Sequence, residues 1–334
     1  MKKNYFYLVK RFLVIQTAFI GDVILATPVF SELKRIYPES EIDVLVRKGN
    51  ESLLNNNPHL HTVYSFDKKQ GKLKSIFHCI RIFRSKKYDE IINLHRFASS
   101  GLMTILSGAK STIGFDKNPF SFFYSRKMKH ELNKGKHEVE RNLECIQHHQ
   151  AVSKKRPEIF PSQSDFDNVE YLQENLYYCF APASVWFTKQ FPENKWIELG
   201  KNLCQKAKVY LIGGHNDIEI CERIKSSIHH ENCFNLAGKF TFLQSAALFQ
   251  KAKMNYVNDS GPLHFCSAVN APVTAFFCST IPEFGFGPLS DNSKIIQTEI
   301  YLSCKPCGIH GFRACPKGHF KCATTIEMKN LFSD

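Results

Sequence analysis

The stretch "FLVIQTAFIGDVILATPVF", residues 12–30, decides the architecture. An apolar run, Phe12 to Ile15, passes through a short loop with one glycine, Gly21, and an acid, Asp22, into a segment with apolar side chains at Leu25, Val29, Leu33 and Ile36. That order reads as strand, tight turn and helix. A dinucleotide-binding turn at this place would need G-x-G-x-x-G, so that the backbone can approach a pyrophosphate. "QTAFIGD" offers a single glycine and a carboxylate, which argues against a dehydrogenase. Asp22 has two compatible readings. It can cap the helix, where a negative charge complements the dipole, or it can stand at the carboxyl end of the first strand as a base for a substrate hydroxyl.

Working outward, "IDVLV" (42–46), "TVYSF" (62–66) and "DEIINLH" (89–95) read as strands, and "KLKSIFHCIRIF" keeps helical spacing through Leu73, Ile76, Phe77, Ile80 and Phe83. Strands alternating with helices predict a parallel sheet covered on both faces. A helix is expected over "HEVERNLECIQHH" (137–149), followed by a polar, proline-containing linker, "AVSKKRPEIFPSQSDFDN". The alternation then restarts with "YYCFAP" (177–182), "PENKWIELGKNLCQ", "KVYLIGG" (208–214), a helix near 216–228, "TFLQSAALFQKA" (241–252), "MNYVND" (254–259), a helix from Gly261 and "PVTAFF" (272–277). Two doubly wound domains are expected, with ligands at the carboxyl ends of the strands and in the cleft between the halves.

The 334 residues, 43% of them hydrophobic, suffice for two such domains. A formal net charge of +13 calls for an acidic partner, and nucleic acid, anionic lipid and phosphorylated substrates all qualify. The basic start "MKKNYFYLVKRFLVIQ" lacks a signal peptide's uninterrupted apolar stretch and cleavage site, and no later segment reaches the roughly 18 apolar residues of a membrane span. A cytosolic location is expected, with most of the twelve cysteines as buried reduced thiols.

In the second half, Ser184, Thr188 and Lys189 lie between a strand and a helix opened near Pro192, where hydroxyls and an ammonium suit a phosphate. The plain alternative for Lys189 is one solvated lysine among many. In "VNDSGPLHFCSA" a strand ends at Asp259, and Ser260-Gly261 bring N–H groups to the start of a helix carrying His264. Such a turn accepts an anion or a sugar, or is simply a helix cap beside a core histidine. Gly213-Gly214 with Asp217 and Glu219 repeat the pattern, and acids so placed often hold ribose hydroxyls. The second half thus reads as a holder of a nucleotide diphosphate and the first as the acceptor side.

With these residues assembled, the chain resembles the ADP-heptose:lipopolysaccharide heptosyltransferases of glycosyltransferase family 9, from Phe12 to about Cys322. The resemblance is carried by "QTAFIGDVILATPVFSELKRIYP", "HEVERNL", "WFTKQFPENKW", "NDSGPLHFCSAVNAPVTAFF" and "CKPCGIHGFRACPKGHFKC". It implies an α/β protein of GT-B fold: two Rossmann-like, doubly wound parallel-sheet domains facing a cleft. Residues 1–165 would bind acceptor and 166–334 the nucleotide-sugar donor, with the last helix packing back on the N-terminal domain.

The resemblance further implies inversion at the anomeric carbon, no metal in catalysis, Asp22 as base, and Lys189 with Thr188 at the donor diphosphate. Asp259, Ser260, Gly261, Leu263 and His264 would line the donor pocket with Ser184, Gly214, Asp217 and Glu219, while Thr17, Gly21, His95 and Arg96 would meet the acceptor. Gln16 and Thr17 stand where many relatives carry Arg and Ser or Leu, and "NLHRFASS" (93–100) replaces a more usual Gln-Gly loop. These departures leave the acceptor, and which heptose is added, open.

Partners expected on this reading are ADP-heptose, a phosphorylated lipopolysaccharide-core glycolipid and an anionic membrane surface, with the protein a monomer, peripheral on the cytoplasmic face of the inner membrane. A UDP- or GDP-sugar donor is the neighbouring alternative. A basic nucleic-acid-binding protein is the alternative from another class, but the lysines are spread along the chain and the small and hydroxyl residues gather at strand ends.

Cys304-x2-Cys307-x7-Cys315-x6-Cys322, with His310 and His319 inside, would permit a structural zinc, paired disulfides or free thiols. Lys305, Lys317 and Lys321 make this loop basic.

Overall fold

A computed structural model describes residues 9–69, 71–132, 134–153, 155–328 and 331. The basic N-terminal segment through Leu8 and Lys154 of the linker stretch lie outside the described residues. The chain divides into two compact units, Met1–Glu131 with Glu138–Lys155, and Leu132–His137 with Arg156–Asp334. The main division between these units falls at 155/156, within the expected linker stretch and ahead of the 165/166 boundary given with the family resemblance.

In the first unit, β1 (Arg11–Gln16), β2 (Glu41–Arg47), β3 (Thr62–Phe66), β4 (Glu90–Asn93), β5 (Ser111–Phe115) and β6 (Arg126–Met128) form a parallel sheet in the order β3-β2-β1-β4-β5-β6. β1 is central because Phe12, Leu13, Val14 and Ile15 are apolar on both faces, and all four are buried. Its Val14 pairs with Val44 on one side and Ile92 on the other. Strand order reverses between β1 and β4, the switch point where such sheets leave a crevice at their carboxyl ends.

Helix α1 (Ile20–Ile36) leaves β1 directly, buries Val23, Ile24, Leu25, Val29, Phe30 and Leu33, and ends in Lys34 and Arg35, which suit the negative helix end. Helices α2 (Lys72–Lys86) and α3 (Ala98–Ile105) follow β3 and β4. The helix expected over 137–149 is shorter: α4 spans Glu138–Glu144, and residues 145–149 continue as turns.

The second unit repeats the design. Strands β7 (Tyr177–Ala181), β8 (Lys208–Leu211), β9 (Cys233–Asn235), β10 (Met254–Asn258), β11 (Val273–Phe276) and β12 (Ser293–Ile296) are parallel in the order β12-β11-β10-β7-β8-β9, reversing between β7 and β10. Within the expected linker, Ser162 caps a short helix, α5 (Gln163–Asp167), by accepting from the Asp165 N–H while Asp165 accepts from Ser162 N–H. Helices α6 (Glu193–Leu203), α7 (Ile218–Ile228), α8 (Phe242–Lys251) and α9 (Gly261–Ala268) cover the sheet. Buried Trp196 of α6 meets Phe276 edge-on, and Phe191 stacks on Phe276 with ring centroids 3.9 Å apart, which fixes the loop entering α6 against β11.

Past the last described helix, α10 (Lys321–Thr324), the chain stays with the second unit: Ala323, Ile326 and Met328 bury their apolar surface in its core.

Candidate active site

In the first unit the functional side chains gather at the carboxyl ends of β1 and β4. Asp22 is the third residue of α1, and its carboxylate accepts the Phe19 N–H at 3.2 Å. It therefore caps the helix from inside the first turn, not from the residue before it. The carboxylate is half-buried by surface area, yet protein surrounds it densely enough that burial, reinforced by the charge of Glu138, pushes its pKa up to about 6 against the opposing pull of Arg96.

Arg96 approaches His130 Nδ1 at 3.3 Å, His130 Nε2 lies 3.0 Å from Glu138, and Arg141 donates to the same carboxylate at 2.7 Å. That chain of charges holds Glu138 low, to about 2, through His130 and Arg141, and places a fixed negative group within range of Asp22. The result is a base that is ionised at neutral pH yet more basic than a free carboxylate.

Thr17 Oγ1 lies 2.8 Å from His95 Nδ1, so two of the residues assigned to the acceptor meet across the switch point. Burial, with Lys68 and Arg96 nearby, pushes His95 down to about 3, so the ring is neutral. Its Nε2 and the Gln16 Oε1 are buried without a hydrogen-bond partner among the described residues. Buried polar atoms are normally satisfied, and two orphans at the ends of the adjacent strands β1 and β4 suit a ligand's hydroxyls. Gly21 sits in the first turn of α1 and is buried.

In the second unit the loop after β7 and the turn after β10 share the other switch point. Lys189 Nζ is 2.7 Å from Asp259 Oδ2, and the Thr280 hydroxyl donates to the same oxygen at 2.6 Å. Asn258 joins the two loops: its side chain donates to the Pro182 carbonyl at 2.8 Å and accepts the Phe191 N–H at 2.8 Å. Ser184 accepts the Trp186 N–H at 3.4 Å through its hydroxyl. Ser260 precedes α9, where Gly261 supplies a backbone N–H, Pro262 has none, and the Leu263 N–H donates to the Ser260 carbonyl at 3.1 Å, so the anion-facing donor at this helix start is Gly261. Leu263 and His264 are buried on that helix. His264 is neutral, its pKa pushed to about 3 by burial, and its Nδ1 has no partner among the described residues.

Thr188 is held by the cysteine loop. Phe312 N–H donates to its hydroxyl at 2.7 Å, Ser279 donates to the same oxygen at 3.0 Å, and the Thr188 N–H donates to the Phe312 carbonyl at 3.1 Å. With both lone pairs in use, its own proton is left to give.

Two assigned acids are otherwise engaged. Asp217 accepts the Gly214 N–H at 2.8 Å, closing the turn after β8, and Glu219 lies exposed on α7, paired with Arg223 at 3.1 Å. The turn needs Gly213, because a Cβ there would come within 2.6 Å of Asp217 Cβ.

Cys304, Cys307, Cys315 and Cys322 line one open pocket of about 330 Å³ together with His319. All four are free thiols, Cys307 donates to the Cys304 carbonyl at 3.1 Å, and Cys304 Sγ is 3.8 Å from His319 Nε2. Sequence reasoning did not reach Ser279, Thr280, Asn258 or Phe312, which hold the assigned residues in place. Nor did it reach His130, although the i, i+3 spacing of Glu138 and Arg141 marked a polar face.

Over residues 76–310 the chain matches the model of Glycosyltransferase family 9 (heptosyltransferase). Lipopolysaccharide heptosyltransferase 3 of Escherichia coli is 28% identical over 291 residues, 82% of this chain and 85% of that protein. The solved structure of E. coli ADP-heptose LPS heptosyltransferase II superposes with a TM-score of 0.76 at 22% identity, over 88% of this chain and 92% of that one. E. coli heptosyltransferase WaaC with ADP gives 0.70 at 21% identity, over 85% and 92%. Two parallel-sheet units with polar loops at their switch points are thus the GT-B glycosyltransferase architecture. The chain belongs to glycosyltransferase family 9, the heptosyltransferases, and is a transferase.

Proposed function

We propose that this enzyme transfers heptose from ADP-heptose, with inversion, to a hydroxyl of the phosphorylated inner core of a lipopolysaccharide precursor. Asp22 takes the proton of the acceptor hydroxyl as its oxygen bonds to the anomeric carbon, and the bond from that carbon to the diphosphate breaks, releasing ADP. Lys189 and the Gly261 N–H at the start of α9 meet the charge that grows on the leaving diphosphate. Thr17, His95 and Gln16 orient the acceptor, and Asp259, relieved of part of its charge by Lys189, faces a sugar hydroxyl.

The observation that carries this reading is the Asp22 carboxylate, raised to about 6 at the carboxyl end of β1 in a family 9 chain. A family relative, E. coli heptosyltransferase II, is described by its donor, ADP-heptose, and WaaC was solved with ADP. Among the described residues no helix is long and apolar enough to cross a membrane. The net charge of +13 suits a monomer docked on the anionic inner leaflet, on the cytoplasmic face, where its glycolipid acceptor lies. The cysteine loop, on this reading, holds a structural zinc outside the chemistry.

The test is turnover of ADP-heptose with a heptose-free core acceptor, alongside thermal-shift measurements with ADP, UDP and GDP. ADP alone raising the melting temperature, and release of ADP that requires the acceptor, are expected. A preference for UDP or GDP would replace the donor.

A further inference from the structure

Glu90, His148 and His149 converge at the opposite end of the first unit's sheet from Asp22. Glu90 is the first residue of β4 and is buried, while the two histidines follow the end of α4 in consecutive turns. His148 Nε2 lies 3.2 Å from Glu90 Oε2 and His149 Nε2 2.7 Å from Oε1, so each ring nitrogen addresses its own carboxylate oxygen. The three ligand atoms lie within 4.8 Å of one another, and among the described residues this is the one group of three or more His, Cys, Asp or Glu that does so.

The group is held rigidly from behind. β4 is hydrogen-bonded to both β1 and β5, the rings of His148 and His149 lie 3.9 Å apart, and His149 is wedged edge-on against Phe12 and Tyr37. Tyr37 Oη sits 3.1 Å from His149 Nδ1, the outer hydrogen bond that orients a metal-bound imidazole.

Two imidazoles and one carboxylate place three donor atoms within one metal's reach, with the carboxylate supplying negative charge to a cation.

We propose that Glu90, His148 and His149 bind a divalent transition metal of the zinc class, with the remaining coordination position open to solvent on the exposed His148 side. Two imidazole nitrogens and one carboxylate oxygen as donors suit zinc or cobalt and not calcium. Because it lies at the amino edge of the sheet, away from the loops that follow β1 and β4, the ion is structural: it clamps the turn after α4 to β4.

The experiment uses the full-length protein in a Cys304→Ser, Cys307→Ser, Cys315→Ser, Cys322→Ser background, so that thiolate ligation at the C-terminal loop cannot contribute. After chelator treatment, zinc is titrated calorimetrically and cobalt by absorption. One equivalent of zinc, a cobalt spectrum with ligand-field bands but no thiolate charge-transfer band, and a zinc-dependent rise in melting temperature are expected. His148→Ala, at the more exposed position, and Glu90→Gln should each weaken zinc binding by at least about tenfold, the lower end of what loss of an outer-shell partner alone causes. Absence of stoichiometric zinc in the background protein, or equal affinity in both folded variants and their parent, would overturn the site. If Glu90→Gln fails to fold, the His148→Ala titration decides alone.

Discussion

Lys189 and Asp259 form an ion pair of 2.7 Å inside the second unit, with only 14% and 6% of their side chains exposed. The ammonium assigned to the donor diphosphate is therefore already neutralised in part, and Thr280 shares the same carboxylate oxygen. Lys189→Ala leaves a buried carboxylate without its counter-charge, which should cost about 3 kcal/mol of stability in addition to lowering turnover and ADP affinity. Asp259→Asn frees the ammonium, so ADP affinity should hold or tighten while ADP-heptose turnover falls. Calorimetric titration of both variants with ADP and ADP-heptose checks this pair of opposite responses. Unchanged ADP affinity in Lys189→Ala would move the diphosphate elsewhere.

Asp22→Asn keeps the cap to Phe19 and removes the proton acceptor, so turnover should drop by about 10²–10⁴, read from ADP release. In the parent enzyme, kcat/KM should fall about tenfold per pH unit below the Asp22 value of about 6. His95 and His264, both held near 3, should add no limb close to neutrality. A pH-rate profile flat down to pH 5 would contradict the assignment.

The same residue predicts a stability effect with a definite sign. Asp22 has a folded pKa raised above the ordinary value of 3.8, so the fold binds the extra proton and stability is lost as pH climbs from about 4 to about 6. Asp22→Asn should consequently be more stable than the parent at pH 7, by on the order of 1–2 kcal/mol after allowing for the part of the carboxylate that solvent reaches. At pH 4 the gain should vanish. Chemical denaturation at the two pH values measures it.

Two glycines of the cysteine loop separate conformation from crowding. Gly308 and Gly311 have φ of +73° and +75°, but a Cβ at 308 meets nothing within 4 Å, whereas one at 311 would lie 2.7 Å from Thr188 Oγ1 and 3.1 Å from Lys189 Cγ. Gly308→Ala should cost about 1–2 kcal/mol, the left-handed backbone alone. Gly311→Ala should cost more and also weaken ADP binding, because Thr188 and Lys189 must move. Equal effects of the two substitutions on ADP affinity would detach this loop from the donor site.

If the cysteine loop carries zinc, metal analysis of the purified chain should find it there in about one equivalent. Loss of that metal in Cys315→Ser and Cys322→Ser, with thiols titrating freely afterwards, is the expected result. ADP-heptose turnover should survive brief chelation, because the proposed chemistry uses no metal.

Much of the frame was legible in residue order. Runs such as Phe12–Ile15 and Val209–Leu211 of β8 are buried on both faces, as inner parallel strands must be, and the loops after them carry the polar side chains. The edge strands β6, β9 and β12 were not legible: Arg126–Met128 and Ser293–Ile296 are short and largely exposed, and Cys233–Asn235 has three residues of which only Cys233 is buried, so no burial pattern marks them. At the site, Asp22, Lys189 and Asp259 could be picked out by position. Their partners could not, because Thr280, Ser279 and Phe312 lie 21 to 124 residues away from the groups they hold, and such pairings arise only when the sheet brings the loops together.

The bonds between Thr188 and Phe312 bridge 124 residues of chain. During synthesis, the segment that later carries Lys189 leaves the ribosome long before the backbone that fastens it exists. The second sheet can assemble first, and the donor loop acquires its working geometry only once the Gly311-Phe312 segment has emerged. Nascent or truncated chains ending before that point would lack the contact that fastens Thr188 and, beside it, Lys189, so this loop is locked only after all six strands of the second sheet have been made.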